Sequence, residues 1–172
     1  TLALAYRKAI RALQHRDLID DRIAKYASSE PYETFLKPDS EYEHWIPRDE
    51  PREKFLVDVA ILAGEAIYQA RSALDHLFFD LVKLRKGPVA PPSNWERIVE
   101  FPFYTDIDSD IPRPVPVAQF PSRSGQWLSP EAYTFIESIQ PYHRGDVHRR
   151  LFQLVKLSNI DKHRRLSVIG EF

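Results

Sequence analysis

Arg71, Asp75 and His76 fall within one short stretch, Arg71-Ser72-Ala73-Leu74-Asp75-His76-Leu77, of a chain with no cysteine and few glycines. Arg71 and Asp75 are four apart, so on a helix they share a face and can pair. His76 is five from Arg71, roughly 140° around a regular helix, so Arg71 and His76 straddle any apolar stripe between them. So polar a patch on a helix is one candidate functional site. An intrahelical ion pair with a boundary histidine is the plainer outcome, and both stay open. A second polar stretch is Leu157-Ser158-Asn159-Ile160-Asp161-Lys162-His163-Arg164-Arg165. The stripe His148, Phe152, Val155, Asn159, His163, Leu166 keeps helical spacing, which puts Asn159 and His163 where apolar residues are expected. A buried Asn or His needs hydrogen-bond partners, or it costs about 1–3 kcal/mol. Asn159, Asp161 and His163 are therefore either a register-setting network or the lining of a site. If the two helices are antiparallel neighbours, Asp75 can orient His163, or Arg71 can pair with Asp161.

The elements that must carry these residues follow from proline placement and periodicity. Nine of the 14 prolines lie between Pro88 and Pro130, so the proline-free stretches are the helix candidates. Thr1 to about Ala27 predicts a first helix, with Leu2, Tyr6, Ala9, Leu13, Ile19 and Ile23 near helical spacing. Ser28 to Asp49, with three prolines and several aromatics, is expected to be an ordered connector packed on the bundle. The clearest element spans about 51–86: Phe55, Val59, Leu62, Ala66, Ala70, Ala73, Leu77, Leu81 and Leu84 step by three or four throughout. Asp49 can cap it, Pro51 suits its first turn, and Gly87-Pro88 ends it. Such a helix is about 54 Å long and needs partners along its length. The proline-rich excursion of about 88–126 follows, in which Phe101-Pro102-Phe103-Tyr104 lies extended or pairs briefly. Ser129, Pro130 and Glu131 open a helix to about Gln140, and Asp146 opens another to about Ile169. The fold class expected is all-α: residues 1–172 form one helical-bundle domain of about four helices.

Composition narrows the function classes. Hydrophobic residues make up 43% and the formal charge is −1, so a folded core is affordable and a general basic coat for nucleic acid is absent. Without cysteine there is no disulfide, thiolate zinc site or cysteine nucleophile. No apolar run approaches the ~20 residues that span a bilayer, and no Gly-rich phosphate loop is present, so neither a membrane partner nor a cofactor is expected. The cytoplasm is the expected compartment. With no methionine either, the chain reads as a trimmed piece. His143 and His148 flank a turn at Gly145 and read as exposed, with a metal role as the lesser option; His15 and His44 belong to no constellation.

Arg71 and His76 form an Arg-x4-His pattern that resembles the motif of HEPN domains, helical bundles of which many are metal-independent ribonucleases of defence and toxin–antitoxin systems. Ser72 stands where that motif usually has Asn, Asp or His. The resemblance implies that Arg71 holds the scissile phosphate of an RNA, that His76 serves proton transfer at the 2′-hydroxyl, and that a homodimer lines one cleft. A wider likeness covers Arg71–Leu77, Phe101-Pro102-Phe103, Ile139-Gln140-Pro141-Tyr142 and Leu157–Arg164, which together resemble a family of uncharacterised bacterial proteins. It carries no activity, and it implies that the four segments belong together in one fold. Three expectations stand side by side: a HEPN-like RNA-cleaving or nucleotide-handling protein; a non-catalytic helical interaction or oligomerisation domain; and a metal-dependent bundle resembling DinB-like proteins, using His76, His148 and His163.

Overall fold

The computed structural model describes residues 2–29, 32–36, 43–47, 49–84, 90–103, 125–143 and 146–163. In chain order these form α1 (Ala3–Ser28), strands β1 (Tyr32–Leu36) and β2 (Glu43–Pro47), α2 (Asp49–Lys83), a single turn α3 (Trp95–Ile98), a 3₁₀ turn (Gly125–Trp127), α4 (Pro130–Ser138) and α5 (Asp146–His163). The all-α reading holds for the architecture, since the elements that pack the core among the described residues are helices joined by short segments. The connector after α1 contributes one feature the sequence did not announce, a two-stranded antiparallel ribbon in which Tyr32 pairs with Pro47 and Leu36 with Glu43. Phe101–Phe103 runs without a strand partner. Tyr104 and residues 164–169 of the expected last helix lie outside the described residues.

α2 is the axis of the molecule. At 35 residues it is about 52 Å long, and it packs against α1 along one half and reaches α5 as well. Its neighbours change along its length, and so does the face it buries. In the N-terminal half the predicted stripe turns inward, with Val59 buried and Phe55, Leu62, Ala66 and Ala70 half-buried beside α1. In the C-terminal half the fully buried residues are Phe78 and Val82, one step round from the predicted Leu77 and Leu81, which are only half-buried. Leu84 is exposed. Phe78 and Val82 pack in the main core with Trp95, Phe101, Trp127, Leu128 and Ile136. The core therefore sits where α2, α3, α4 and the 99–103 segment meet. Phe101 meets Phe78 edge-on at 6.2 Å, and Trp95 stacks on Phe79 at 4.9 Å.

α1 corrects a second expectation. Antiparallel contacts fix its register on α2: Tyr26 stacks on Phe55 at 4.1 Å, Arg22 lies 3.9 Å from Asp58, His15 3.2 Å from Glu65, and Lys8 sits 5.4 Å from the Tyr68 ring centroid. The seam these residues define is Ala5, Lys8, Ala12, His15, Ile19, Arg22 and Tyr26, stepping alternately by three and four as in left-handed helix pairs. Of the stripe that periodicity offers as the inner face, Ile19 joins this seam, while Leu2, Tyr6, Ala9, Leu13 and Ile23 are exposed. Alanines at the seam let the two helices approach closely, and charged pairs close its edge. Bulk at Leu2, Tyr6 and Leu13 would hold the helices apart.

Ser129 opens α4 as expected. Its side-chain oxygen accepts from the Ala132 N–H at 3.2 Å, with Pro130 in the first turn.

Candidate functional site

Arg71 and Asp75 lie on one face of α2, as their spacing requires, and they close on each other. Arg71 Nε donates to Asp75 Oδ2 at 3.3 Å, and Nη2 lies 3.2 Å from Oδ1. Both then reach the extended segment across from the helix. The Phe101 N–H donates to Asp75 Oδ1 at 2.9 Å, and Arg71 Nη2 donates to the Phe101 carbonyl at 3.4 Å. The pair thus satisfies both backbone groups of one buried residue that has no strand to pair with. The guanidinium lies over the Phe103 ring, 4.4 Å from its centroid, and Glu100 Oε2 approaches to 3.8 Å from the solvent side. The Arg71 side chain is only 15% exposed.

Gln140 completes this clamp from the other side. Its Nε2 donates to the Ile136 carbonyl at 2.9 Å and to the Pro102 carbonyl at 3.2 Å. The first is an end-of-helix acceptor of α4, and the second follows directly after Phe101. Gln140 is fully buried. Residues 71, 75, 101, 102 and 140, which the sequence groups only through a likeness between segments, therefore form one clamp of hydrogen bonds around residues 101–102, with the Phe103 ring packed against Arg71. Arg71 and Asp75 were singled out from the sequence; Gln140 was not. The signal available was a lone amide between the last apolar residue of α4 and Pro141.

The other predicted residues are not brought into this unit. His76 is half-buried on α2 and makes no hydrogen bond or ion pair among the described residues. Asn159 is half-buried, and its neighbour Ser158 is the polar residue of α5 that is buried among the described side chains. The side chains of Asp161 and His163 lie outside the described residues. The carboxylate of Asp75, expected to orient His163, is instead occupied on both oxygens by Arg71 and Phe101. Arg71, expected beside Asp161, is held by Asp75. Among the described residues no group of three His, Asp or Glu side chains is placed to hold a metal ion.

A second polar cluster lies at the end of α4. Tyr142 donates its hydroxyl to Glu137 Oε1 at 2.6 Å, and His143 Nε2 lies 3.0 Å from the same oxygen. The His143 and His148 rings stand 5.6 Å apart, and His148 Nδ1 is buried with no hydrogen bond among the described residues. The two histidines are thus half-buried, where the turn around Gly145 reads as exposed. His15 likewise belongs to a constellation that the sequence hides. It is buried in the α1–α2 seam, and its Nδ1 faces Glu65 Oε2 off the line of a hydrogen bond.

Electrostatics at the α4 cluster give a testable pH dependence. The Tyr142 hydroxyl holds the Glu137 carboxyl below its ordinary value, against the opposing pull of desolvation, and His143 adds to the lowering. Burial first, then the Glu137 carboxylate, push the Tyr142 phenol up. A lowered carboxyl stabilises the fold above its unfolded value and loses that contribution as pH falls through the lower folded value. Below about pH 4.5 the wild type is therefore expected to lose Tm with an extra slope that Glu137→Gln lacks. Parallel Tm–pH curves for the two proteins would remove Glu137 from the acid response.

No family model matches the chain, and no curated protein and no solved structure matches it either.

Proposed function

We propose that this chain is a non-catalytic helical interaction domain. The observation that carries the reading is an inversion of the usual pattern. Arg71 and Asp75, the charged pair best suited to chemistry, turn inward and close the fold on the Phe101 backbone. Large apolar residues of the α1–α2 hairpin, among them Tyr6 at 68% and Ile61 at 57% exposure, turn outward. They lie on two different faces of the hairpin, and of these the face that carries Ile61 also exposes Leu4, Leu18, Val57 and Tyr68, the kind of apolar surface that marks association. A phosphate bound by Arg71 would have to displace Asp75 and the Phe101 carbonyl, leaving buried groups unpaired at about 1–3 kcal/mol each. No helix among the described residues is long and apolar enough to cross a membrane.

A HEPN-like, metal-independent ribonuclease acting on RNA in a bacterial defence or toxin–antitoxin setting is the second reading. One observation favours it: His76, half-buried one residue from Asp75, has no bonding partner among the described residues. The two readings separate in one assay, RNA cleavage in EDTA by the wild type, Arg71→Ala and His76→Ala, each with its Tm. The interaction reading expects no cleavage by any of them, a lowered Tm for Arg71→Ala, and a Tm within about 2 °C of wild type for His76→Ala. Cleavage by the wild type that His76→Ala abolishes at unchanged Tm would establish the nuclease instead.

A further inference from the structure

The contacts that set the register of α1 on α2 also define one broad flank of the hairpin. Lys8, His15 and Arg22 meet Tyr68, Glu65 and Asp58 along it. Just outside this line, α1 carries Leu4, Arg11, Leu18 and Lys25 at strict seven-residue spacing. α2 carries Val57, Ile61 and Tyr68 at steps of four and seven. Leu4, Leu18, Val57, Ile61 and Tyr68 are all exposed, from 47% to 61%. Two ridges side by side, one at seven-residue spacing and one at steps of four and seven, with apolar residues at Leu4, Leu18, Val57, Ile61 and Tyr68, are of the kind one helical pair offers to another. The same face of α2 is covered farther along, where Phe78 and Val82 lie in the core; the bare part is its N-terminal half.

We propose that this flank binds a second copy of the chain, with α1 of each protomer lying against α2 of the other in an antiparallel four-helix core. The proposal deepens the interaction reading by naming its partner. Three features commit it to a second copy in this orientation. The first is charge. α1 brings Lys8, Arg11, Arg22 and Lys25 to the flank, with Arg22 beside Asp58 of its own chain and Lys25 beside Asp21, and α2 brings Glu53, Asp58 and Glu65 around a single basic residue, Lys54. A two-fold axis running along the helices sets the basic ridge of one protomer over the acidic ridge of the other, whereas an axis across them sets like over like. The second is level. Arg22 beside Asp58 and His15 beside Glu65 put Leu18 at the height of Ile61, so that axis brings Leu18 of each copy onto Ile61 of its partner. The third is size. The 26 residues of α1 laid along α2 make a surface about 40 Å by 20 Å, roughly 800 Å² per protomer, which is what a standard stable interface buries. The exposed stripe Leu2, Tyr6 and Leu13 on the far side of α1 is a single ridge that runs into Asp17 and Asp20, and it offers no such two-ridged face.

The test is sedimentation of the whole chain beside Ile61→Lys and Leu13→Lys, with helix content and Tm recorded for each. The wild type is expected to be a dimer at micromolar concentration. Ile61→Lys is expected to weaken it by about 100-fold while remaining helical, and Leu13→Lys to leave it intact. A monomeric wild type, a dimer that survives Ile61→Lys, or a dimer lost equally in Leu13→Lys would each overturn the proposal. Orientation is read by oxidation, because the chain has no cysteine of its own. A disulfide-linked dimer should form when Leu18→Cys and Ile61→Cys chains are mixed and not from either alone. A link formed by Leu18→Cys alone would overturn the α1-to-α2 pairing. A monomeric wild type that still cleaves no RNA would remove the second copy as partner and leave the non-catalytic reading standing.

Discussion

Phe78→Ala is expected to destabilise the chain by about 3–5 kcal/mol, while Leu77→Ala, its neighbour on the predicted stripe, costs about 1–2 kcal/mol. Phe78 is 0% exposed and sits between α2 and Phe101, in the same core as Ile136 and Leu128. Removing its ring empties a space that those neighbours cannot collapse into without breaking the Phe101 clamp, so the cavity term adds to the transfer term. For a domain of this length the loss corresponds to a fall in Tm of about 6–20 °C, measured by thermal melts of both variants against wild type. Equal losses at Leu77 and Phe78 would mean that α2 buries one continuous face and that the turn in its buried stripe is wrong.

That turn shows where sequence reading stops. Helical periodicity located α2 because an apolar residue recurs at every third or fourth position from Phe55 to Leu84. It cannot choose between Leu77-Leu81 and Phe78-Val82, since both sets are apolar and the choice is made by Trp95, Phe101 and Ile136, which come later in the chain. On α1 the same logic misled. The stripe Leu2-Tyr6-Ala9-Leu13 satisfies periodicity, yet the seam that meets α2 is Ala5, Lys8, Ala12, His15, Ile19, Arg22 and Tyr26. A seam built from small residues and matched charges has no hydrophobic signature, and an apolar stripe left outside looks the same in sequence as one turned in. Surface apolar residues are informative only once their neighbours are known. The polar unit was half legible. Spacing alone paired Arg71 with Asp75, but their common partner, the Phe101 backbone, lies 26 residues from Asp75, and a backbone acceptor leaves no trace in residue type. Likewise, Gln140 bonds two carbonyls from separate segments, which no local pattern encodes.

The second large effect is expected at Asp75. Asp75→Ala removes the acceptor of the Phe101 N–H and the counter-charge of a guanidinium that is mostly withdrawn from water. Leaving such groups unpaired is expected to cost about 2–4 kcal/mol. Arg71→Ala should cost about 2–3 kcal/mol, from the lost bond to the Phe101 carbonyl and the lost packing over Phe103. The double variant should cost about 1–2 kcal/mol less than the sum, because each single change already breaks the shared pair. Arg71→Lys keeps the charge but cannot hold Asp75 and the Phe101 carbonyl together while covering a ring, so it should recover only part of the loss. Urea unfolding of the four variants and wild type measures all of this. Additive losses would show that Arg71 and Asp75 act separately, and an Arg71→Ala protein as stable as wild type would free the guanidinium for a ligand. In that outcome Arg71 and His76 would again be the place to look for RNA chemistry, and the clamp would be only one of two states of Arg71.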